Sequence, residues 1–445
     1  MAVQDDNGSA QEAFQRALDA AVERGEVVRG ARALYRPGQL VLSDRAVQLL
    51  GEELSSIADA DGEQGEWLAR VGLQLWRTAR GEGAAALVEV ATRLQGLALT
   101  RAEEGGDAGS IEAGDPPITV SLNHVLVGLP HPWGGPAGPP SATAAHRRLD
   151  PAAERAVPDI AVLDTGVPSH KLLSAWHPNL DAAIRRDPGN PVFHDDEDRL
   201  YPAGAAPVLG AEAGHGTFIA GLVRRVAPDL VISPYAVLDP DGIGDDVWVA
   251  RALLSVGTRP MAVPVINLSL GGYTFDDNPP AVTKAVLNQL PRTTVVVAAA
   301  GNDGIDRPWW PAAFADVVAV AAVDDADGVV APTAWSNYGP WVDVCTVGLD
   351  LLSTYVEGTY PSGPTFAGPH PFARWSGTSF AAPLVAAEIA RRVREDAELG
   401  LAPTGPLTAD EAWRQLAAEL VPLPGSRDVG LLYWPPEDPR EPRLP

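Results

Sequence analysis

The stretch Trp375-Ser376-Gly377-Thr378-Ser379-Phe380-Ala381-Ala382-Pro383 places a serine where a glycine turn leads into a long apolar segment. Because proline is tolerated only in the first turn of a helix, Pro383 predicts a helix that begins close to Ser379. The first amides of a helix have no partner within it, and they carry the positive end of the helix dipole. Such a position suits a nucleophile and an oxyanion, although most Gly-Thr-Ser triplets are plain helix caps.

Two upstream stretches carry the side chains that a serine nucleophile needs. Asp159-Ile160-Ala161-Val162-Leu163-Asp164-Thr165-Gly166-Val167 is typical of a buried strand that ends at an aspartate. Gly214-His215-Gly216-Thr217-Phe218-Ile219-Ala220-Gly221 is typical of a helix start that carries a histidine. Alone, His215 would more often be structural, and Asp164 would more often belong to a turn or a metal site. Together they predict a catalytic triad in which His215 takes the proton of Ser379 and Asp164 orients the imidazole.

The three motifs, in the order Asp, His, Ser, resemble those of the subtilisin-like (subtilase) serine peptidases. The resemblance covers about residues 157–435. It implies a serine endopeptidase with an α/β fold, in which a mainly parallel sheet has helices on both faces. It also implies that Asn302 stabilises the oxyanion together with the Ser379 amide, although an asparagine after Ala-Gly could equally form a turn.

The resemblance further implies two edge segments to which an extended peptide adds as another strand. Their glycines permit the close approach of a second backbone. The segments are Gly242, Ile243 and Gly244, and Ser269, Leu270 and Gly271. The pocket for the side chain of the scissile residue would lie between the second segment and Ala299, Ala300 and Gly301. Because these walls are alanine and glycine, we expect the pocket to accept a sizeable apolar or neutral side chain.

The sequence pattern divides the chain into five parts. Residues 1–30 indicate a helical extension, and residues 31–127 have the strand-helix-strand-helix-strand order of a small α/β sandwich. Residues 128–156 are a linker rich in proline, glycine and alanine. Residues 157–435 form the peptidase domain, and residues 436–445 are predicted to be disordered. The second part is similar to the prodomain of subtilases, although any small α/β domain would share its element order.

We expect residues 31–127 to inhibit the peptidase domain of the same chain. The last predicted strand of this part, residues 118–127, is extended and apolar enough to occupy the cleft as a substrate would. The covalent tether raises its effective concentration to roughly millimolar. Processing is expected between Val127 and Asp150, and the alternative role is that of an ordinary interaction domain.

Composition narrows the classes of partner. The 445 residues carry a net charge of −25 and are 46% hydrophobic, which suits a large core and disfavours nucleic acid or an anionic membrane as a partner. The single cysteine, Cys345, excludes an internal disulfide framework. The N-terminal residues show no secretory signal pattern, and no run is apolar enough for a membrane helix. We therefore expect a cytoplasmic protein whose partners are peptide or protein substrates and its own N-terminal domain.

No cofactor is required by this chemistry, and no metal ligand is assigned. The acidic run His194-Asp195-Asp196-Glu197-Asp198 has oxygen ligands that suit a structural calcium ion, but acidic runs are mostly solvated surface. The alternative function is a catalytically silent protein that binds extended peptides in the same cleft. A lipase or esterase is disfavoured, because Gly377-Thr378-Ser379-Phe380-Ala381 lacks the last glycine of the nucleophile elbow.

Overall fold

The computed structural model describes residues 7–62, 65–78, 84–104, 117–128, 139–145, 149–151, 157–186, 208–257, 263–326, 328–361, 363–400, 406–424 and 427–441, without the side chains of residues 7–11, 84 and 85. The helices are α1 (Asn7–Glu23), α2 (Asp44–Leu50), α3 (Glu52–Ser55), α4 (Gly65–Ala69), α5 (Ala84–Glu104), α6 (His170–Trp176), α7 (Pro178–Asp181), α8 (His215–Val226), α9 (Asp246–Gly257), α10 (Ala281–Leu287), α11 (Thr378–Leu399) and α12 (Ala409–Glu419). The strands are β1 (Val28–Arg29), β2 (Leu34–Ser43), β3 (Ala58–Ala60), β4 (Leu73–Thr78), β5 (Val120–Val127), β6 (Ser141–Ala142), β7 (Ile160–Asp164), β8 (Ile232–Ala236), β9 (Ile243–Asp245), β10 (Val265–Leu268), β11 (Val295–Ala299), β12 (Val317–Ala326), β13 (Val329–Pro332), β14 (Val344–Val347), β15 (Leu351–Thr354), β16 (Gly358–Thr359), β17 (Thr365–Phe366), β18 (Phe372–Trp375), β19 (Val421–Pro422) and β20 (Leu431–Leu432).

The larger sheet is the centre of residues 157–435. Its strands lie in the order β19-β20-β14-β12-β11-β10-β7-β8, with β13 paired to β12. All neighbours from β20 to β8 are parallel. Every residue of β7, β8, β10, β11 and β14 is buried, as expected for parallel strands that are covered on both faces. Helices α8, α9 and α11 pack against these strands. The predicted fold class is confirmed.

This sheet brings the predicted site residues to one edge. Asp164 is the last residue of β7, Ser269 follows β10, and Ala299 is the last residue of β11. Because β7, β10 and β11 are neighbours and parallel, their carboxyl ends meet at the same side of the sheet. Ligand sites in open α/β sheets form at such edges.

The helix that carries Ser379 begins next to this residue, as predicted, but Pro383 does not lie where the prediction placed it. Helix α11 begins at Thr378, so Pro383 lies inside the helix and not in its first turn. A proline has no N–H for the carbonyl four residues before it, which here belongs to Ser379. That carbonyl accepts the hydroxyl of Ser269 instead, at 2.6 Å. The side chain from the end of β10 therefore replaces a missing helix hydrogen bond at the predicted nucleophile.

The N-terminal part is built around a smaller sheet with strand order β3-β4-β2-β5-β9 and β1 on β2. The predicted order is present as β2, α2, β4, α5 and β5, and the short α3, β3 and α4 are inserted between α2 and β4. Its own core contains Leu40, Leu42, Leu50, Leu94 and Leu122. Since β9 belongs to the peptidase part of the chain, this sheet crosses the predicted domain boundary.

Two segments predicted to lack structure make specific contacts. In the linker, Ser141–Ala142 pairs antiparallel with β18, immediately before the stretch that carries Ser379. In the tail, the carbonyl of Pro439 accepts the amide of Leu352 at 3.1 Å. The carbonyl of Arg440 accepts the guanidinium of Arg374 at 3.0 Å. Residues 436–441, which were predicted to be disordered, thus contact donors on β15 and β18 that local sequence does not reveal.

Candidate active site

The carboxylate of Asp164 is held by the backbone amide of the next residue as well as by the histidine. The fully buried carboxylate accepts the amide of Thr165 at 2.7 Å. The Thr165 hydroxyl in turn accepts the amide of Gly216 at 3.0 Å, which ties the end of β7 to the first turn of α8. A side chain at Gly216 would lie 2.2 Å from the carbonyl oxygen of Gly166, so the strand and the helix meet at a distance that only glycine allows.

His215 is the first residue of α8 and is fully buried. Its Nδ1 lies 2.8 Å and 3.0 Å from the two carboxylate oxygens of Asp164. Because an ionised carboxylate is only an acceptor, Nδ1 carries the hydrogen, and in the neutral ring Nε2 is then the basic nitrogen. The ring lies between Trp375, edge-on at 5.4 Å, and Phe380 at 5.0 Å. The structure therefore forms the first predicted link of the triad and shields the ring from water.

The second predicted link is not formed in this structure. The Ser379 hydroxyl donates to the carbonyl oxygen of Gly128, 3.0 Å away, and not to His215. The Nε2 atom of His215 is buried and has no hydrogen-bond partner among the described residues. Gly128 directly follows β5, so the end of the N-terminal part contacts the predicted nucleophile.

Asn302 follows β11 and is oriented by the residue before the predicted nucleophile. Its Oδ1 accepts both the amide and the hydroxyl of Thr378, each at 2.9 Å. The Thr378 hydroxyl also accepts the amide of Gly301 at 3.1 Å. Since both bonds use Oδ1, the Nδ2 donors are on the opposite side of the amide group. Thr378 was not predicted to have a role, and its hydroxyl fixes Asn302 relative to Ser379.

Both predicted edge segments pair with β5. Val125, Leu126 and Val127 oppose Asp245, Gly244 and Ile243 in an antiparallel ladder. On the other side, Val127 and Gly271 exchange two backbone hydrogen bonds, of 2.7 and 2.9 Å. The amide of Gly128 donates to the carbonyl of Gly242 at 3.1 Å. The segments at 242–244 and 271 thus bind one extended strand between them, whereas Ser269 turns inward to the Ser379 carbonyl.

The fold, the buried Asp–His pair and the serine at a helix start agree with one known family. Residues 158–404, more than half of the 445-residue chain, match the Subtilase family of S8 peptidases. The chain belongs to the subtilase family. This subtilase is 35% identical over 218 residues to the thermophilic serine proteinase of Bacillus sp. (strain AK1), a match that covers 48% of this chain and 49% of that relative. It is 34% identical over 223 residues to thermitase of Thermoactinomyces vulgaris, with 47% and 71% covered.

The subtilase chain spans about half the length of the first of these relatives. Among solved structures, it is similar to fervidolysin from Fervidobacterium pennivorans, described as a keratinolytic enzyme related to subtilisin. The TM-score is 0.54 at 16% identity, and the match covers 89% of this chain and 59% of that chain. At this identity the likeness concerns the fold alone.

Two residues at the centre of this subtilase site were not predicted from the sequence. Gly128 was assigned to the linker, although a glycine directly after the predicted strand could have signalled a close backbone contact. Trp309, in Pro308-Trp309-Trp310-Pro311, had no predicted role at the site. Its ring lies between Gly271 and Gly301, where the pocket for the scissile side chain was expected. Ala299 and Ala300, at the end of β11, are both buried.

No group of three or more histidine, cysteine, aspartate or glutamate side chains that could hold a metal ion is found in the part of the chain that the structure describes. The acidic run at 194–198 lies outside the described residues. Within the described ranges, no helix is both long and apolar enough to span a membrane.

The contact between Ser269 and the Ser379 carbonyl generates a stability prediction. We expect Ser269→Ala to lower the free energy of unfolding by about 1–3 kcal/mol, because a buried carbonyl loses its donor. The buried Asn267 amide also loses its acceptor, the Ser269 hydroxyl at 2.9 Å. Urea denaturation measures the change.

A matched control for this prediction is Ser353→Ala. It removes another buried hydroxyl that donates to a helix carbonyl, that of Phe218 at 2.7 Å. Both variants should lose stability, but only Ser269→Ala should also reduce the reactivity of Ser379. A Ser269→Ala protein as stable as the wild type would contradict the role given to this hydroxyl.

Proposed function

We propose that this subtilase is a serine endopeptidase that hydrolyses peptide bonds of extended protein or peptide segments. The observation that carries the proposal is the fully buried Asp164–His215 pair, whose Nε2 is held as a base beside the start of the helix that bears Ser379. The names of two relatives, a thermophilic serine proteinase and thermitase, support the same activity.

In the proposed mechanism, Nε2 of His215 takes the hydroxyl proton as the Ser379 oxygen attacks the carbonyl carbon of the scissile bond. The oxyanion that forms accepts hydrogen bonds from the Asn302 amide group and from the backbone amide of Ser379. Asp164 stabilises the imidazolium, which then gives its proton to the leaving amine. Water, deprotonated by the same histidine, then attacks the acyl carbon, and the imidazolium returns the proton to the Ser379 oxygen as the ester bond breaks. No step in this sequence calls on a metal ion.

A second candidate is a silent protein that holds extended peptides. The observation in its favour is that the cleft binds β5 by main-chain pairing on both sides. Against it stands the retention of Asp164, His215, Asn302 and Ser379 in hydrogen-bonded positions, since peptide binding alone requires none of them.

We expect a fluorophosphonate probe to label Ser379 after residues 1–127 are removed, because the probe reacts with a serine that a neighbouring base activates. Mass spectrometry of the labelled peptide identifies the site. Ser379→Ala should abolish both labelling and peptide hydrolysis, while Ser376→Ala, three residues earlier, should keep both. A wild-type chain that binds peptides but remains unlabelled after removal of residues 1–127 would support the silent binding protein instead.

We further propose that the N-terminal part restrains this activity. Strand β5 occupies both edge segments, and the Gly128 carbonyl takes the Ser379 hydroxyl that the mechanism needs to donate to His215. A substrate cannot add to the same edges while β5 is paired there. Cleavage between Val127 and Asp150 stays a prediction, as does a cytoplasmic location.

Charged contacts outside the cleft support this docked arrangement. Arg36, on β2, forms an ion pair of 2.8 Å with Asp245, whose side chain is 5% exposed. Arg32 pairs with Asp277, which also accepts Arg307 at 2.6 Å. The side chain of Asn123 on β5 accepts the amide of Val247 at the start of α9, at 3.2 Å.

We expect Arg36→Ala to raise the peptidase activity of the intact chain by at least about tenfold. The variant leaves the buried Asp245 carboxylate without its cation in the docked state, and this destabilises docking of β5. Arg77→Ala is the matched control, since Arg77 pairs at 2.6 Å with the equally buried Asp61 inside the N-terminal part. Hydrolysis of a peptide substrate at fixed chain concentration measures both. Equal activities of Arg36→Ala and Arg77→Ala would contradict the proposed restraint.

The docked strand also contains a buried histidine, His124, whose protonation would oppose docking at low pH. Burial lowers the pKa of His124 to about 4, against an opposing effect of the nearby Asp276 carboxylate. The ring stacks on Phe275 at 5.9 Å, so release of β5 would expose it to water. A released histidine has an ordinary pKa of about 6.5. Between about pH 6.5 and pH 4, the released state binds a proton that the docked state does not, so docking weakens as the pH falls.

From these two pKa values we expect docking to weaken roughly 20-fold between pH 7 and pH 5. The measurement is the activity of the intact wild type divided by that of His124→Phe at each pH. The division removes the titration of the catalytic groups, which both chains share. The ratio should rise as the pH falls, and a constant ratio would show that His124 does not couple docking to pH.

A further inference from the structure

The gap expected to hold the scissile side chain is already occupied. An added Cβ at Gly271 would lie 2.0 Å from Nε1 of Trp309, and one at Gly301 would lie 2.9 Å from its Cδ2. One indole ring therefore contacts both glycines and spans the space between the two segments. Trp309 is 4% exposed, so the ring is a wall of the core and not a surface flap.

The indole is held from several sides. The next residue, Trp310, exchanges two backbone hydrogen bonds with Gly272, of 2.8 and 2.9 Å. Tyr273 packs edge-on against the Trp309 ring with centroids 4.8 Å apart. The Tyr273 hydroxyl donates to Asp303 at 2.6 Å, and Asp303 is the residue after Asn302. A substrate side chain would have to displace a buttressed ring in order to enter.

The docked strand indicates which substrate residue meets this ring. An added Cβ at Gly128 would lie 2.1 Å from a carboxylate oxygen of Glu212 and 3.0 Å from a methyl group of Leu238. Successive side chains of an extended strand point to opposite faces. A substrate residue bound one position after that of Gly128 would therefore carry its side chain on the face opposite Glu212, and we infer that this residue is the one that meets Trp309.

We propose that Trp309 closes this pocket, so that the enzyme cleaves after glycine or alanine and rejects large side chains. The inference rests on the proposed peptidase function and replaces the expectation of a spacious pocket. The substrate class is extended protein segments with a small residue at the scissile position. Adding atoms to a close-packed site is destabilising, because the surrounding side chains can move very little to make room.

The test compares two peptides that differ only in the scissile residue, alanine or phenylalanine. For the wild type, we expect kcat/KM for the phenylalanine peptide to be at least about 100-fold below that for the alanine peptide. Trp309→Ala should raise kcat/KM for the phenylalanine peptide, divided by kcat/KM for the alanine peptide, by at least about 100-fold. Trp309→Phe should give an intermediate value of this ratio. Because a ratio is independent of the amount of folded enzyme, partial unfolding of a variant does not obscure the result.

Trp310→Ala is the matched control. This neighbouring tryptophan is also buried, but its ring packs on Phe314 at 4.7 Å and not on the two glycines. It should leave the ratio unchanged. A wild type that cleaves both peptides equally, or a Trp309→Ala variant with the wild-type ratio, would overturn the proposal.

A binding experiment separates this proposal from the proposed function. Calorimetry with a Ser379→Ala chain that also carries Arg36→Ala, the change expected to weaken docking of β5, measures the affinity for the same two peptides without catalysis. Preference for the alanine peptide, lost on adding Trp309→Ala, supports the pocket even if the wild type hydrolyses nothing. Equal affinities for both peptides would overturn the pocket even if the wild type is a peptidase.

Discussion

The structure depends on the antiparallel pairing of β5 with two edges of the peptidase domain. Val125, Leu126 and Val127 pair with β9, and Val127 also exchanges backbone hydrogen bonds with Gly271. This pairing satisfies backbone groups that would otherwise be exposed strand edges. It also fixes the position of Gly128 and hence the direction of the Ser379 hydroxyl. The N-terminal sheet and the catalytic sheet are therefore joined at the point where chemistry is proposed to occur.

The same pairing explains why the site contains one formed and one unformed link. The Asp164–His215 bond lies inside the peptidase domain, between the end of β7 and the start of α8, and it does not involve β5. The Ser379 hydroxyl lies at the surface that β5 covers, and it bonds to Gly128. In the proposed restraint, docking thus leaves His215 oriented while the Ser379 hydroxyl bonds to Gly128. A restraint of this kind requires no distortion of the catalytic domain.

The sequence was sufficient for features that depend on local pattern. The apolar strands before Asp164 and Ala299, and the helix starts at His215 and Ser379, follow from short stretches, and parallel topology brings their ends together. The alternation of strands and helices in the N-terminal part, without β1, α3, β3 and α4, and its extended last strand were predicted in the same way. Resemblance to a family then supplied the roles of Asn302 and of the glycine-bearing edges.

Other features depend on contacts between residues far apart in the chain. The Ser269 hydroxyl replaces the bond that Pro383 cannot make, but the two lie more than 100 positions apart, and neither sequence stretch indicates the other. Trp309 fills a gap that looked spacious because only its alanine and glycine walls were considered. The contacts of Pro439 and Arg440 with β15 and β18 likewise have no local signal. All three features depend on packing between distant parts of the chain, which the hydrophobic periodicity of the sequence does not reveal.

Hydrogen exchange at the Gly271 amide tests the central claim most directly. In the intact chain this amide donates to Val127 at 2.9 Å, and exchange should be slow because it requires release of β5. After the linker is cut and residues 1–127 are removed, exchange at Gly271 should become much faster. The amide of Leu268, within β10, should remain protected and show that the domain is still folded. Equal exchange of the Gly271 amide in the two states would contradict the account that β5 occupies the cleft.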